Sequence, residues 1–174
     1  MILEGIGEDP EREGLRETPQ RVARMYEELF GHQWSGETED FQLFHIEDGH
    51  QIIVLKDIPL AAFCEHHLLP FIGKAHIAYI PKGSKIIGFS KIARLLDISV
   101  RQLQVQERLT VEVAESIMKR VDPQGVLVAV EAEHTCMTLR GVKKQGSAVV
   151  TVAARGLLEQ KDIRTEALAL IRGL

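Results

Sequence analysis

Two short stretches carry the side chains best suited to chemistry. The first is Phe63-Cys64-Glu65-His66-His67-Leu68-Leu69-Pro70, in which four reactive groups stand in a row between apolar residues. The second is Glu133-His134-Thr135-Cys136, which ends a strand-like run and holds the only other cysteine of the chain. Thiolate sulfur and imidazole nitrogen are favoured donors for zinc, and a Cys-x-x-His step lets one tight turn present both from the same side. Cys64 and His67 fit that step, and Cys136 supplies a third donor once the fold closes the gap. No third cysteine exists to complete a four-thiolate structural site. Three protein donors with one position left to water is the arrangement of a catalytic zinc, whereas structural sites are closed by four. The same residues also fit plainer accounts: two unrelated buried thiols, or a disulfide between Cys64 and Cys136.

His66 and His67 are neighbours and point opposite ways in an extended chain, so at most one coordinates and the other is left for proton transfer or substrate contact. His134, two residues before Cys136, shares its strand face. Further along stands a candidate anion site. Ser90 reads as an N-cap, and a helix starting there offers free N–H groups and its positive dipole end, with Lys91 and Arg94 in the first turn. A capped amphipathic helix with two solvated cations accounts for these residues equally well. Arg21 and Arg24 share a helix face that reads either as a solvated surface or as anion contacts. Glu107 falls in the first turn of a long helix, where the dipole favours a carboxylate; one carboxylate can also accept both N–H groups of a guanine edge.

These groups need elements to position them. Thr18-Pro19 opens a helix running to about Phe30, with Val22, Met25, Tyr26 and Leu29 on one face. Segments 41–46 and 51–58 read as strands joined at the turn dipeptide Asp48-Gly49, the second leading into Cys64 at a strand end. Residues 71–80 form another strand, closed by Pro81-Lys82-Gly83. A helix from near Gln104 to Val121 follows from the recurrence of Val105, Leu109, Val113, Ile117 and Val121. Val126 to Thr138 alternates as a strand that puts His134 and Cys136 on one face, with Arg140 next if the strand stays regular. A turn at 143–147 leads into a final strand, Ala148 to Ala154, paired back on it, and Asp162 caps a closing helix.

The whole chain sets outer bounds. Its 174 residues suit one domain, 1–174, with a helical region over 1–40 and a core over 41–174. The formal charge of −4 leaves no general basic face for nucleic acid, no stretch is apolar enough to span a membrane, and nothing like a secretory signal opens the chain, so a cytoplasmic protein is expected. Neither a G-x-x-x-x-G-K-[ST] loop nor a G-x-G-x-x-G turn is present.

Taken together, Gly7-Glu8-Asp9-Pro10, Thr18 to Tyr26, Cys64-Glu65-His66-His67, Gly88 to Ile92, Gln104 to Thr110, and His134-Thr135-Cys136-Met137 with Arg140-Gly141 closely resemble GTP cyclohydrolase I, and the likeness covers nearly the whole chain. The resemblance implies an α+β tunnelling fold: a four-stranded antiparallel sheet with helices on one face and an N-terminal helical extension. It implies conversion of GTP to 7,8-dihydroneopterin triphosphate and formate, the entry to pteridine and folate synthesis, in a homodecamer of two stacked pentameric rings. By position, Cys64, His67 and Cys136 are then zinc ligands. Ser90, Lys91, Arg94 and Arg140 contact triphosphate, joined by Arg21 and Arg24 from a neighbouring subunit. Glu107 binds guanine, with the Gln106 main chain beside it. Zinc lowers the pKa of a bound water to about 7, which yields a nucleophile for guanine C8. His134 protonates N7, His66 the ribose ring oxygen, Ser90 assists the later rearrangement, and Glu65 is a candidate partner just outside the zinc ligands. Some members of the family carry a lysine between the last zinc cysteine and the arginine; Met137-Thr138-Leu139 stand there in this chain.

Overall fold

A computed structural model describes residues 1–30, 43–47 and 51–173. They fall in two compact units, 1–37 and 38–174.

The first unit holds α1 (Ile2–Gly5) and α2 (Thr18–Phe30). Thr18 is already helical rather than the residue before the helix. Within the helix the Arg21 guanidinium donates to Gly14 O at 2.9 Å and to Thr18 Oγ1 at 3.0 Å, and pairs with Glu17 at 3.4 Å. No residue of α2 is buried, and Val22 and Met25 on its apolar stripe are exposed.

The second unit is built on a five-stranded sheet. Its strands are β2 (Ile53–Cys64), β3 (Pro70–Ile80), β5 (Leu103–Gln104), β6 (Gly125–His134) and β7 (Val149–Gly156), in the order β5-β2-β3-β6-β7. The four long strands run antiparallel, and β5 adds a two-residue parallel edge that pairs Phe63 with Leu103 and Cys64 with Gln104, so the sheet is mixed and has five strands where a four-stranded antiparallel one was expected. A separate small ladder joins β1 (Leu43–His45) to β4 (Lys85–Ile87). The segment around 43–46 was expected to pair with 51–58; its partner is instead β4, and Asp48-Gly49 lies outside the described residues.

The helices are α3 (Phe89–Ser99), α4 (Gln106–Val121), the single turn α5 (Thr135–Thr138) and α6 (Lys161–Arg172). One sheet face, carrying Ala75, Ile77, Tyr79, Val126, Val128 and Val130, packs against Ile92, Leu95 and Leu96 of α3 and Leu109, Val113 and Ile117 of α4. Burial of these aliphatic side chains at about 25 cal/mol per Å² is the main force holding the unit together. The other face does not stay open throughout: Ala78, Ile80, Leu127 and Ala129 pack with Leu158 and with Ile163, Ala167 and Ile171 of α6. Helices therefore lie on both faces, which corrects the expectation of one. With both faces covered, residues 126–130 are buried without alternation.

Two corrections concern helix starts. The N-cap of α3 is Gly88, not Ser90; Lys91 N–H donates to Gly88 O at 2.9 Å, so the serine already lies inside the first turn. Phe44 Cε2 stands 3.4 Å from where a Gly88 side chain would begin. Gln160 caps α6, leaving Asp162 in the first turn, where its charge still suits the dipole.

Candidate metal centre

The centre forms where the sheet runs out. β2 ends at Cys64 and the chain folds into one tight turn, with Leu68 N–H donating to Cys64 O and Cys64 N–H to Leu69 O, each at 2.9 Å. Leu68 closes the turn at φ 53°, a left-handed conformation that costs a residue with a side chain about 1–2 kcal/mol. This turn brings Cys64 and His67 to one side. On the far side of β3, the β3–β6 ladder ends at the pair Phe71–His134, and the β6–β7 ladder ends at Ala132–Val149. Beyond His134 the chain has no strand to pair with. It therefore turns helical, and Thr135 Oγ1 donates to Pro70 O at 2.5 Å to hold the break. The expected strand to Thr138 thus stops at His134, and Cys136 reaches the site from α5 rather than from a strand face.

Cys64, His67 and Cys136 converge, with one donor atom of each within 4.8 Å of the others. Cys64 is buried, Cys136 half-buried and His67 exposed, so the cluster opens to solvent on one side. Two sulfurs and one imidazole are the donor chemistry of zinc, and donors this close need only a small inward adjustment to meet one ion through bonds of about 2.0–2.3 Å. Burial, with Cys64 beside it, pushes the Cys136 thiol above the ordinary range, while Arg140 works the other way. With a second sulfur so near, Cys136 resists losing its proton unless a cation shares the space.

Other side chains crowd this cluster. His66 Nδ1 lies 3.7 Å from Cys64 Sγ. Arg140, beyond α5, donates from Nη1 to His67 Nε2 at 3.0 Å. Glu65 pairs with Arg108 Nη2 at 2.5 Å, a bond that holds its carboxyl below the usual range. Arg108 also donates to Leu103 O at 2.9 Å and to Gln104 Oε1 at 3.0 Å, and Glu65 N–H donates to Gln104 O at 3.0 Å. The metal turn is thereby strapped to β5 and α4.

His134 sits flat on Phe71, ring centroids 4.7 Å apart and planes 8° from parallel. Its Nε2 lies 2.8 Å from Gln106 Oε1. Burial lowers its pKa, and the nearby Glu107 carboxylate pulls in the opposite direction. Gln106 and Glu107 occupy the first turn of α4, Glu107 exposed and Gln106 wholly buried. Ser90, Lys91 and Arg94 stand together near the start of α3, Ser90 and Arg94 exposed and Lys91 half-buried. Arg21 and Arg24 are exposed on α2, in the other unit.

Residues Phe71 and Arg108 escaped the sequence reading. Phe71 read as the first residue of an ordinary strand, and Arg108 meets Glu65 across 43 residues, so no local spacing betrays either one.

The family model for GTP cyclohydrolase I matches residues 1–172. A protein of Clostridioides difficile named GTP cyclohydrolase 1 is 56% identical over 177 residues, covering 98% of this chain and 90% of the relative. Proteins with the same name from Pelotomaculum thermopropionicum and Carboxydothermus hydrogenoformans are 54% and 53% identical, covering 99% and 98% of this chain and 93% and 90% of their own lengths. Among solved structures, the apo crystal form of the archaeosine synthase QueF-Like superposes with a TM-score of 0.51 at 20% identity, over 63% of this chain and 97% of that one. That likeness concerns the fold alone.

Proposed function

The chain belongs to the GTP cyclohydrolase I family and is an enzyme of that type, and from that premise we propose that it converts GTP and water to 7,8-dihydroneopterin triphosphate and formate in a zinc-dependent reaction. The observation that carries the reading is the convergence of Cys64, His67 and Cys136 within 4.8 Å, flanked by His66 and by His134 two residues from Cys136.

Cys64, His67 and Cys136 would hold the ion. When bound there, zinc supplies the Lewis acidity that makes water a nucleophile near neutral pH, suited to attack at guanine C8. His134 exchanges a proton with guanine N7, which makes C8 electrophilic; imidazole is the side chain that changes charge near neutral pH, and burial lowers the pKa of this ring, which favours giving the proton up. Burial against Phe71 keeps the ring in place for this. His66 protonates the ribose ring oxygen so that the sugar opens before it recloses as a pterin, and Ser90 assists that later stage. Glu107 accepts the N–H groups of the guanine edge beside the Gln106 main chain, and its nearness to the His134 ring supports this role.

Ser90, Lys91, Arg94 and Arg140 bind the triphosphate, with Arg21 and Arg24 arriving from another subunit. The exposed apolar stripe of α2, with Val22 and Met25 uncovered, supports an assembled state, which we assign as the family's homodecamer of stacked pentamers with a tunnelling-fold core. Among the described residues no helix is long and apolar enough to cross a membrane. A cytoplasmic location, without membrane or nucleic-acid partners, is part of the same proposal.

Incubation of the zinc-loaded protein with GTP, with formate and the oxidised fluorescent pterin both assayed, tests the reading. Both products, lost together on zinc removal, are expected; neither product from a fully loaded protein would overturn it.

A further inference from the structure

Gln106 is 0% exposed, and its side chain is enclosed by polar groups whose roles are determined. Its Nε2 lies 3.0 Å from Val130 O, 2.9 Å from Val149 O and 3.1 Å from Thr151 Oγ1. Two of these are main-chain carbonyl oxygens, which only accept. Turning the amide over would set its own oxygen against both of them, so the nitrogen must face this way. The threonines extend the same logic. Thr110 Oγ1 donates to Gln106 O at 2.7 Å, which uses its only hydrogen; Thr151, 2.6 Å away, must therefore donate to Thr110, leaving a lone pair toward Gln106 Nε2, whose two hydrogens are shared among three acceptors.

One acceptor remains. Gln106 Oε1 faces His134 Nε2 at 2.8 Å, and an amide oxygen has no hydrogen to give. The ring must donate.

We infer that Gln106 is a positioning residue for His134, holding the hydrogen of the neutral ring on Nε2 and leaving Nδ1 as the nitrogen that exchanges a proton with the substrate. The inference rests on the proton-transfer role proposed above. During transfer the charged ring gives its Nδ1 proton to N7 and later takes it back, while the Nε2–H bond to Gln106 is kept in both states. An amide suits this position because it stabilises the charged ring without taking up the proton itself, as a carboxylate would. Phe71 fixes the plane of the ring and Gln106 its rotation and tautomer. The buried side chain of Gln106 is thereby occupied inside the protein, so any contact it makes with guanine is through its main chain.

Histidine-selective 15N labelling of the full-length, zinc-loaded protein, with His134 assigned by difference from His134→Asn, reads the tautomer by solid-state NMR. A protonated Nε2 and a bare Nδ1 are expected; hydrogen on Nδ1 overturns the inference. This measurement needs no variant of Gln106 and decides the question even if such a variant fails to fold. In Gln106→Met the preference should be lost, and kcat for formate release should fall about 10- to 100-fold with zinc content and KM for GTP unchanged. A raised KM at unchanged kcat would mean the side chain serves substrate binding, and would overturn it. Wild-type formate release on the same preparation separates the two readings: its absence would refute the GTP reaction, while the spectrum would still judge the Gln106–His134 arrangement.

Discussion

Phe71 and His134 face each other as the last pair of the β3–β6 ladder, and their rings stack at 4.7 Å, only 8° from parallel. The ring proposed for proton transfer is thus mounted on the edge of the hydrophobic core, on a residue with no exposed surface. Phe71→Ala should destabilise the protein by about 3–5 kcal/mol through the cavity it leaves. Phe71→Leu should keep the fold but lower kcat, because the flat support is gone. Urea unfolding alongside formate release separates the two effects.

Metal uptake should release protons. Cys136 is held protonated by burial and by Cys64, yet it binds an ion only as thiolate. Zinc affinity should therefore fall as the pH is lowered, and calorimetry in buffers of different ionisation enthalpy should show protons leaving on binding. Cys64→Ser or Cys136→Ser should lose stoichiometric zinc.

The strap from Arg108 to Glu65 is surface-exposed, and pairs of that kind add little to global stability. Its effect should appear locally. Arg108→Met should leave the unfolding midpoint nearly unchanged but weaken zinc binding by about 10-fold, since it frees the turn that carries the ligands. Competition with a chelator measures it.

Glu107→Gln should raise KM for GTP by about 10- to 100-fold, the loss expected for hydrogen bonds to a charged acceptor, with zinc content unchanged. Steady-state formate kinetics and metal analysis together check it.

Gly73 lies where β2, β3 and β6 come together, paired with Leu60 and Ala132. A side chain there would begin 1.9 Å from Glu131 O and 2.6 Å from Ala132 Cα, both immovable backbone. Gly73→Ala should cost more than about 3 kcal/mol, visible as a large drop in melting temperature or as insoluble protein.

Local chemistry was legible where the local chain decides the geometry. Cys64 and His67 are three residues apart in one tight turn, so their common side follows from spacing. The burial of Leu109, Val113 and Ile117 on α4 follows from helical period in the same way. The partner of β1 could not be read, because a short strand has no local signal naming its neighbour, and it took β4. Nor could the strand break at Thr135: the pattern alternates on, and the strand stops because its partners end at Phe71 and Val149.

The sequence by itself determined the donor types, the two halves of the candidate metal centre, and the helices and strands with strong periodicity, since all of these depend on residue identity and near neighbours. Tertiary structure decided which distant groups meet: Cys136 with Cys64, Arg108 with Glu65, Phe71 and Gln106 with His134. The physical reason is that a side chain's hydrogen-bond partners are assigned only when strands pair and helices pack. Gln106 stands beside Glu107 in the chain and reads like a surface residue of the same helix turn. Once α4 is laid on the sheet, one of the two is exposed and the other is sealed among carbonyls and a threonine, with its amide oxygen against a histidine.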